Sequence, residues 1–258
     1  MAASYRFIEI CSSLRTALTG TAMNHHFYRL LTIFPLIAIG LVATSNRRVE
    51  AQVFESLHNG RDLEGWDGDP SIWSVEDGAI TGITTAEKPL QHNTFLILAG
   101  KPLSDFRLEL QYRITGGNSG IQYRSRVIDP EKWIVGGYQA DIEAGVTYTG
   151  ILYEEKGRGI LALRGERATI SAEGKSEKET FADAADLQKF IRQNDWNDYV
   201  VEAQGNTLKH IINGHLMSET IDHETNKRSA EGVLALQVHV GPPMKVQFRN
   251  LRLMRKAD

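Results

Sequence analysis

Polar side chains that could do acid–base or sugar-binding chemistry stand at every second position in four stretches of this chain. The stretches carry Gln122 and Arg124; Gln139, Asp141 and Glu143; Tyr153 and Glu155; and Gln237 and His239. Because successive side chains of a β-strand point to opposite faces, each stretch can bury one face and hold acids, amides, an Arg and a His on the other. A face of this composition could hold a sugar.

His239 is the first candidate for acid–base chemistry, because imidazole can give or take a proton near neutral pH. If the apolar residues of the stretch 234–238 pack in the core, then Gln237 and His239 face a cleft. The alternative is a surface or structural histidine.

Asp141, Arg124 and Glu155 complete the catalytic candidates. Asp141 shares a face with Gln139 and could be a base or a metal ligand; the alternative is a strand carboxylate paired with Arg124. The planar fork of Arg124 could hold an enolate or hydroxyl oxygen, or it could form a structural ion pair. Only one of Glu154 and Glu155 can face the cleft without a bulge, and Glu155 is the preferred candidate.

Six residues are candidates for substrate binding: Gln122, Gln139, Gln237, Asn118, Tyr153 and Trp133. Asn118 lies in a Gly-Gly-Asn-Ser-Gly turn whose glycines allow close backbone approach, although a tight turn that only shapes the rim explains the same residues. Trp133 follows a loop sequence with a proline, so it is the tryptophan expected to be partly exposed as a stacking platform for a sugar.

Residues 1–51 are predicted to lie outside the fold. The apolar run 30–44 follows Arg29, and Val49-Glu50-Ala51 offers a small-residue cleavage site, which indicates a secretory signal peptide. The run is short for a membrane span of roughly 20 residues, and Pro35 and Gly40 interrupt it. An uncleaved anchor is the alternative, and Met23 would make a more ordinary start than Met1.

Cleavage after Ala51 leaves residues 52–258, a length that suits one β-rich domain. The only cysteine, Cys11, lies in the removed segment, so the exported protein would have no disulfide. A Gram-negative periplasm or bacterial cell surface fits this composition. The mature chain would have no membrane span.

The charge balance argues against nucleic acid as a partner. Subtracting the five basic and two acidic residues of the removed segment from 29 and 32 leaves 24 basic and 30 acidic residues, a formal charge of −6. Phosphate binding requires clustered Lys and Arg. The sequence has no zinc cysteine pairs and no phosphate loop.

The dominant period of the mature chain is two, which predicts an all-β fold of two packed antiparallel sheets. In the run 106–114, apolar residues alternate with Arg, Glu and Gln. Strands are expected at 72–75, 95–98, 106–114, 121–127, 138–142, 150–153, 160–163, 199–203, 208–212, 233–240 and 245–248. One short helix is expected at 183–191, with Asp183 as its cap and Leu187, Phe190 and Ile191 facing inward. The charged segment 157–180 could be a long hairpin or a mobile lip.

Several motifs in order resemble the 3-keto-disaccharide hydrolase family. They are His58-Asn59-Gly60-Arg61-Asp62-Leu63-Glu64-Gly65-Trp66, Trp73-Ser74-Val75-Glu76-Asp77-Gly78, Ser104-Asp105-Phe106-Arg107-Leu108-Glu109, Gly116-Gly117-Asn118-Ser119-Gly120-Ile121, Gly137-Tyr138, Trp196-Asn197, Asn213-Gly214, Leu236-Gln237-Val238-His239 and Phe248-Arg249-Asn250-Leu251. The resemblance implies a concanavalin A-like jelly-roll sandwich. It departs from the commoner family pattern Gly-Tyr-Glu-x-Gln-Ile, because Gln139 and Asp141 exchange the acid and the amide.

The resemblance implies cleavage of glycosides, oligosaccharides included, whose glucose unit a separate sugar 3-dehydrogenase has oxidised at carbon 3. The ketone acidifies the hydrogen on carbon 2, so the reaction needs a base, a partner for the enolate oxygen and an acid for the leaving oxygen. A divalent metal held by carboxylates and a histidine could polarise the ketone, although no compact ligand motif is present.

Two other functions fit the same residues. A carbohydrate-binding module without turnover would need the amides, the Arg and aromatic stacking but no base. An ordinary glucanase on the same fold would need paired carboxylates flanking the scissile bond, and no obvious spacing of that kind occurs.

Overall fold

The computed structural model describes residues 53–256, which fall within one compact unit. The predicted signal peptide and its alternative, an uncleaved anchor, fall on residues 1–51 and so lie outside the described residues. In the described range, no helix combines the length and apolar character needed to cross a bilayer.

The described residues form strands almost throughout, with one α-helix and one 3₁₀ turn at Pro130–Lys132. The elements are β1 (Glu55–Ser56), β2 (Trp66–Asp67), β3 (Trp73–Glu76), β4 (Ala79–Thr84), β5 (Thr94–Leu98), β6 (Phe106–Thr115), β7 (Asn118–Asp129), β8 (Ile134–Glu143), β9 (Leu152–Glu155), β10 (Gly159–Ala162), β11 (Glu166–Ile170), β12 (Ser176–Thr180), α1 (Ala184–Gln188), β13 (Asn197–Gln204), β14 (Thr207–Ile212), β15 (His215–Asp222), β16 (Val233–Val238) and β17 (Met244–Arg255).

The strands form two sheets, which confirms the predicted jelly-roll sandwich. The ten-stranded sheet has the order β12-β11-β15-β14-β13-β6-β17-β4-β3, with β1 paired to β17. The seven-stranded sheet has the order β10-β9-β8-β7-β16-β5-β2. All neighbours are antiparallel except β11 and β15, which are parallel. The chain reaches β15 from β11 by a long crossover through β12, α1, β13 and β14, and such a crossover permits a parallel pair.

The core lies between the two sheets and is built by strict alternation. Every second residue of β6 is buried, from Phe106 to Ile114, while the residues between them are half-buried or exposed. The seven-stranded sheet contributes the inward side chains Ile121, Tyr123, Tyr138, Ala140 and Ile142. Because neighbours in a strand point to opposite faces, the intervening residues of β7 and β8 point to the outer face of the seven-stranded sheet.

Strand β7 breaks this alternation at Arg124, where the backbone takes a positive φ of 46°. The pairing of β7 with β8 shifts register between Tyr123 and Arg126. On the opposite strand Gly137 has φ 144°, and a Cβ there would lie 2.7 Å from the Cα of Ser125. The β7–β8 hairpin therefore bends at this point, and only glycine fits at position 137.

Beyond the bend, the tip of the β7–β8 hairpin contacts β5 and β2. The carbonyl of Trp133 accepts a hydrogen bond from the Phe95 N–H at 3.0 Å, and the Trp133 indole donates to Asp67 at 2.8 Å. Trp133 packs against a small outer cluster of Phe95, Ile97, Val135 and Ala235. The hairpin tip thus covers one part of the outer face and leaves the rest open.

The elements outside the sandwich core differ from prediction in detail. Helix α1 ends earlier than predicted, although Asp183 caps it and Leu187 is buried as expected. Phe190 was expected to face inward, and this was wrong: it is 42 % exposed and stacks on His215. The charged segment 157–180 forms β10 at the edge of the seven-stranded sheet. It then forms the β11–β12 hairpin at the edge of the ten-stranded sheet.

Replacing Arg124 with Met should lower the free energy of unfolding by about 3–5 kcal/mol, because a buried charged partner is removed from three oxygens. The guanidinium is 1 % exposed and donates to the carbonyls of Ser104 and Gly205 and to the carboxylate of Asp105, each at 2.7 Å. Urea denaturation measures the change. Arg126→Met, on the same strand but exposed, is the matched control and should stay within about 0.5 kcal/mol. A similar loss in both variants would contradict the structural role of Arg124.

Candidate active site

The open part of the outer face contains a pocket of about 340 Å³. Its lining residues come from β7, β8, β9, β10 and three connecting segments: Asn93, Asn118, Gln139, Asp141, Tyr148, Ile151, Tyr153, Glu155, Ile160 and His239. Six of the sequence candidates are therefore brought together here. They are His239, Asp141, Glu155, Gln139, Asn118 and Tyr153.

Strand pairing places the central residues side by side. Asp141 stands opposite Gly120 of β7, and Gln139 stands opposite Gln122 on one side and Tyr153 on the other. Gly120 is needed because a Cβ at that position would lie 2.5 Å from the Gln139 side chain. The glycine leaves the space in which the Gln139 amide lies against Asp141.

Two amides hold the Asp141 carboxylate. Gln139 donates from Nε2 to Oδ1 at 2.6 Å, and Asn118 donates from Nδ2 to Oδ2 at 3.1 Å. The carbonyl oxygen of Gln139 accepts from Gln122 at 2.7 Å, whose own carbonyl oxygen accepts from the Ser125 hydroxyl at 2.6 Å. This chain of bonds fixes which end of each amide points to the acid.

Burial raises the pKa of Asp141 to about 7, because the side chain is almost wholly removed from water. The hydrogen bonds from Gln139 and Asn118 oppose this shift, while the nearby Glu143 and Glu155 carboxylates add to it. A carboxyl that titrates near neutrality can both take and give a proton. A perturbed carboxyl group inside a pocket is also a typical sign of a functional site.

Glu155 faces the pocket and Glu154 faces away, as predicted. Glu155 accepts a hydrogen bond from the Asn93 amide at 3.2 Å. Glu154 instead pairs with Arg158, which also binds Asp222. Because neighbours in a strand point to opposite faces, Glu155 lies at the pocket and Glu154 lies in an ion pair on the other face.

His239 lies just after the last residue of β16 and is half-buried at the pocket. Its Nδ1 is hydrogen-bonded to the carbonyl of Val240. The Val240 N–H in turn donates to the Asn93 side chain at 2.9 Å. Asn93 therefore links Glu155 and Val240, the residue after His239, to the start of β5.

Gln122 and Gln237 do not reach the pocket wall, which corrects their expected role as direct substrate ligands. Both are fully buried. Gln122 bonds Gln139 at 2.7 Å, and the Gln139 amide lies 3.4 Å from the Gln237 carbonyl oxygen. They lie behind Gln139 and orient it, because the hairpin tip covers this part of the outer face.

Arg124 and Trp133 are also corrected. The positive φ of Arg124 turns its side chain to the other sheet, where Asp105 and two backbone carbonyls bind it, so it cannot touch a sugar in the pocket. Trp133 is half-buried, but its indole bonds Asp67 and its ring packs on the cluster under the hairpin tip. Neither residue lines the pocket.

Sequence reasoning missed Asn93, Tyr148, Ile151 and Ile160. Asn93 gives no signal, because a single Asn before a strand usually ends a turn. Tyr148 and Ile160 are 42 % and 41 % exposed apolar side chains at the pocket. Alternation could have found Ile160, which pairs with Tyr153 across β9 and β10.

The residues present do not fit a metal centre. No group of three His, Cys, Asp or Glu side chains in residues 53–256 is arranged to hold an ion. Both oxygens of Asp141 are already hydrogen-bonded to amides. The divalent cation that the sequence left as an option therefore has no ligand set of three such side chains in the described part of the chain.

A larger groove, of about 630 Å³, lies on the ten-stranded sheet and carries no comparable chemistry. Its polar side chains are bonded to one another, as in the pairs Gln111 with Asp198 and Arg252 with Glu109. The smaller pocket is therefore the candidate site.

Comparison with known proteins gives one family match. The model of the 3-keto-alpha-glucoside-1,2-lyase-like domain matches residues 53–254. No curated protein matches the chain at a significant level.

Solved structures that resemble the chain agree on its fold. Two candidate glycosyl hydrolases from Parabacteroides distasonis share 17 % and 18 % identity, each with a TM-score of 0.51 and 79 % of this chain covered; 100 % and 94 % of those chains are covered. A Bacillus subtilis protein of unknown function with a galectin-like fold has 11 % identity and a TM-score of 0.51, covering 79 % of this chain and 94 % of its own. These likenesses support the jelly-roll architecture alone.

The raised pKa of Asp141 predicts a loss of stability with rising pH. The unfolded chain ionises this carboxyl near 3.8, whereas the folded protein keeps the proton until pH about 7. The folded state binds more protons between these values, so stability falls as pH rises through that window. Asp141→Asn removes this effect. The free energy of unfolding of the variant, relative to that of the wild type, should therefore rise by about 3 kcal/mol between pH 5 and pH 8.

Urea denaturation at both pH values measures this difference. Asp186→Asn, at an exposed position on α1, is the matched control and should follow the wild-type pH dependence. Parallel curves for wild type and Asp141→Asn would show that the Asp141 pKa is not raised in the folded protein.

Proposed function

We propose, because the chain belongs to the family of 3-keto-alpha-glucoside-1,2-lyase-like domains, that its pocket cleaves the glycosidic bond of 3-keto-glucosides. Family membership makes the chain a carbohydrate-active, glycoside hydrolase-like domain. The ketone at carbon 3 is the finer part of the proposal. The observation that carries it is the buried Asp141 carboxyl, with its pKa of about 7, on the wall of an open pocket.

The chemistry starts from the acidity that the ketone gives to carbon 2. A base removes the hydrogen from carbon 2, and the electron pair forms the enolate of carbon 2 and carbon 3. The enolate then expels the aglycone oxygen from carbon 1, which takes a proton from an acid. Addition of water, with hydroxyl to carbon 1 and hydrogen to carbon 2, completes a net hydrolysis.

Asp141 is the proposed base. At neutral pH a carboxyl with a pKa of about 7 is partly ionised, and it gains driving force for proton transfer compared with an ordinary aspartate. Gln139 and Asn118 fix its orientation. Because it is held on a packed strand, it could meet the carbon 2 hydrogen without a large rearrangement.

His239 is the proposed acid for the leaving oxygen, and Glu155 is the second proposed acid–base group. The Nδ1 of His239 is engaged by the Val240 carbonyl, so Nε2 is the atom left for the substrate. Tyr153 supplies a hydroxyl to the same pocket. The sugar would lie between these groups and Asp141.

The enolate oxygen must be stabilised without a cation from the chain. No Lys or Arg in the described part of the chain lines the pocket. Asn118 retains one amide N–H beyond the one given to Asp141, and the Tyr153 hydroxyl is a second neutral donor at the pocket. Preorganised neutral donors are effective where water is excluded.

The proposed reaction also requires a partner enzyme and a cellular location. A separate sugar 3-dehydrogenase must supply the ketone, because no redox step is assigned to this pocket. If residues 1–51 direct export, the reaction takes place in the periplasm or at the cell surface.

Asp141→Asn should lower kcat on a 3-keto-glucoside by about 100-fold or more, because the amide cannot accept the carbon 2 proton. The assay measures aglycone release from an oxidised glycoside and from its unoxidised parent. The wild type should cleave only the oxidised compound. Asp186→Asn is the matched control and should keep full activity.

Three outcomes of that assay would count against the proposal. Full activity in Asp141→Asn would remove Asp141 as the base. Binding of the glycosides without cleavage would favour a carbohydrate-binding module. Cleavage of the unoxidised parent would favour an ordinary glucanase.

His239→Ala tests the acid separately. The variant should lose about 100-fold in kcat on a methyl 3-keto-glucoside, whose alcohol leaves poorly without a proton. It should lose much less on a 4-nitrophenyl 3-keto-glucoside, because that leaving group departs as an anion. His223→Ala, at an exposed position bonded to Asn206, is the control. Equal losses on both substrates would exclude His239 as the acid.

A further inference from the structure

The pocket has two unlike walls. One carries the amides, the two acids and His239, which the proposed chemistry uses. The other carries Tyr148 and Ile160, to which the proposed chemistry gives no role. Ile151 lies beside the acid, because the Asp141 N–H donates to its carbonyl at 3.3 Å. Tyr148 is 42 % exposed and Ile160 is 41 % exposed, so both present apolar surface at the pocket.

The two walls are joined by one cross-strand line of the sheet. Gln122 pairs with Gln139, Gln139 pairs with Tyr153, and Tyr153 pairs with Ile160. Because paired residues share a face, these side chains succeed one another across neighbouring strands spaced about 4.8 Å apart. Polarity therefore falls from Gln139, next to Asp141, towards Ile160 at the edge strand.

The apolar wall is also held in place. The loop that carries Tyr148 is fixed by the Glu143 carboxylate, which accepts from the N–H groups of Thr147 and Tyr148. The buried Arg164 guanidinium binds its carbonyls, at 2.7 Å to Val146 and 2.8 Å to Thr149. Two N–H groups and two carbonyls of this loop are thus bonded to buried or partly buried side chains, so Tyr148 is presented on a preformed support.

From this arrangement we propose that Tyr148 and Ile160 form the subsite for the aglycone, and that the preferred substrates carry an uncharged, apolar aglycone such as an aromatic alcohol. This inference rests on the proposed cleavage of 3-keto-glucosides. The oxidised ring lies at the polar wall, and the group on carbon 1 lies over Tyr148 and Ile160. An aromatic group suits Tyr148 because flat rings pack well against one another.

The charge of the pocket restricts the aglycone further. Asp141 and Glu155 are acidic, and the described lining residues contain no Lys or Arg. An aglycone with a carboxylate or phosphate would meet like charges in a partly dry site, which is unfavourable. A neutral apolar group meets no such penalty.

The test compares methyl and 2-phenylethyl 3-keto-glucosides, in both anomers, because the two alcohols differ more in apolar area than in acidity. The wild type should show a kcat/KM at least about tenfold higher for the 2-phenylethyl compound. Tyr148→Ser and Ile160→Ser should each reduce that preference about three- to tenfold. Val127→Ser replaces an exposed apolar residue outside the pocket and should leave the preference within about twofold.

Equal kcat/KM for the two substrates in the wild type, or a preference that survives the Tyr148→Ser, Ile160→Ser double variant, would overturn the subsite. Absence of cleavage of any 3-keto-glucoside would instead overturn the proposed function. In that case calorimetric titration with the unoxidised methyl and 2-phenylethyl glucosides still decides the inference. Tighter binding of the 2-phenylethyl compound that is lost in Tyr148→Ser supports the apolar subsite, and equal binding refutes it.

Discussion

The site depends on one constraint: a carboxyl group is held in a nearly dry position on the outer face of a packed sheet. Asp141 is 5 % exposed, yet it lines an open pocket. The inward neighbours Ala140 and Ile142 fix its strand against the core, so the carboxyl cannot withdraw into water. The cost of ionising it there raises its pKa, and two amides limit that cost without removing it. A weaker core or a missing amide would change the acid–base behaviour of the pocket directly.

The bend in the β7–β8 hairpin decides how much of that face remains open. The left-handed residue Arg124 and the glycine opposite it redirect the hairpin, and its tip then bonds to Phe95 through Trp133. Gln122 and Gln237 are buried by this arrangement and become supports for Gln139. The bend at Arg124 turns that side chain away from the pocket. The same bend therefore orders the amides of Gln122 and Gln237 behind Gln139, which bonds Asp141.

Periodicity was sufficient for the sandwich and for most of the pocket. Alternation placed Gln139, Asp141, Tyr153 and Glu155 on one face, because regular strands leave no other choice. It failed at Arg124, where a single positive φ reverses the side chain and nothing in the sequence of β7 marks the change. It also could not reveal Tyr148, whose position depends on a loop held by the distant Arg164. Pairings between residues far apart in sequence are absent from any local pattern.

The order of amide and acid along β8 has a physical meaning in this fold. Positions 139 and 141 lie on the same face about 6.6 Å apart along β8. Position 141 faces Gly120 and lies beside Asn118, whereas position 139 faces Gln122 and Tyr153. An amide at 139 can accept a hydrogen bond from Gln122 and donate one to an acid at 141. The chain of hydrogen bonds that begins at the Ser125 hydroxyl therefore ends at the Asp141 carboxylate. An acid at 139 would instead accept the hydrogen bond that the Gln122 amide donates. The order found here thus keeps one acid bonded to one amide and places the charged group two residues along β8 from Gln139, beside Asn118.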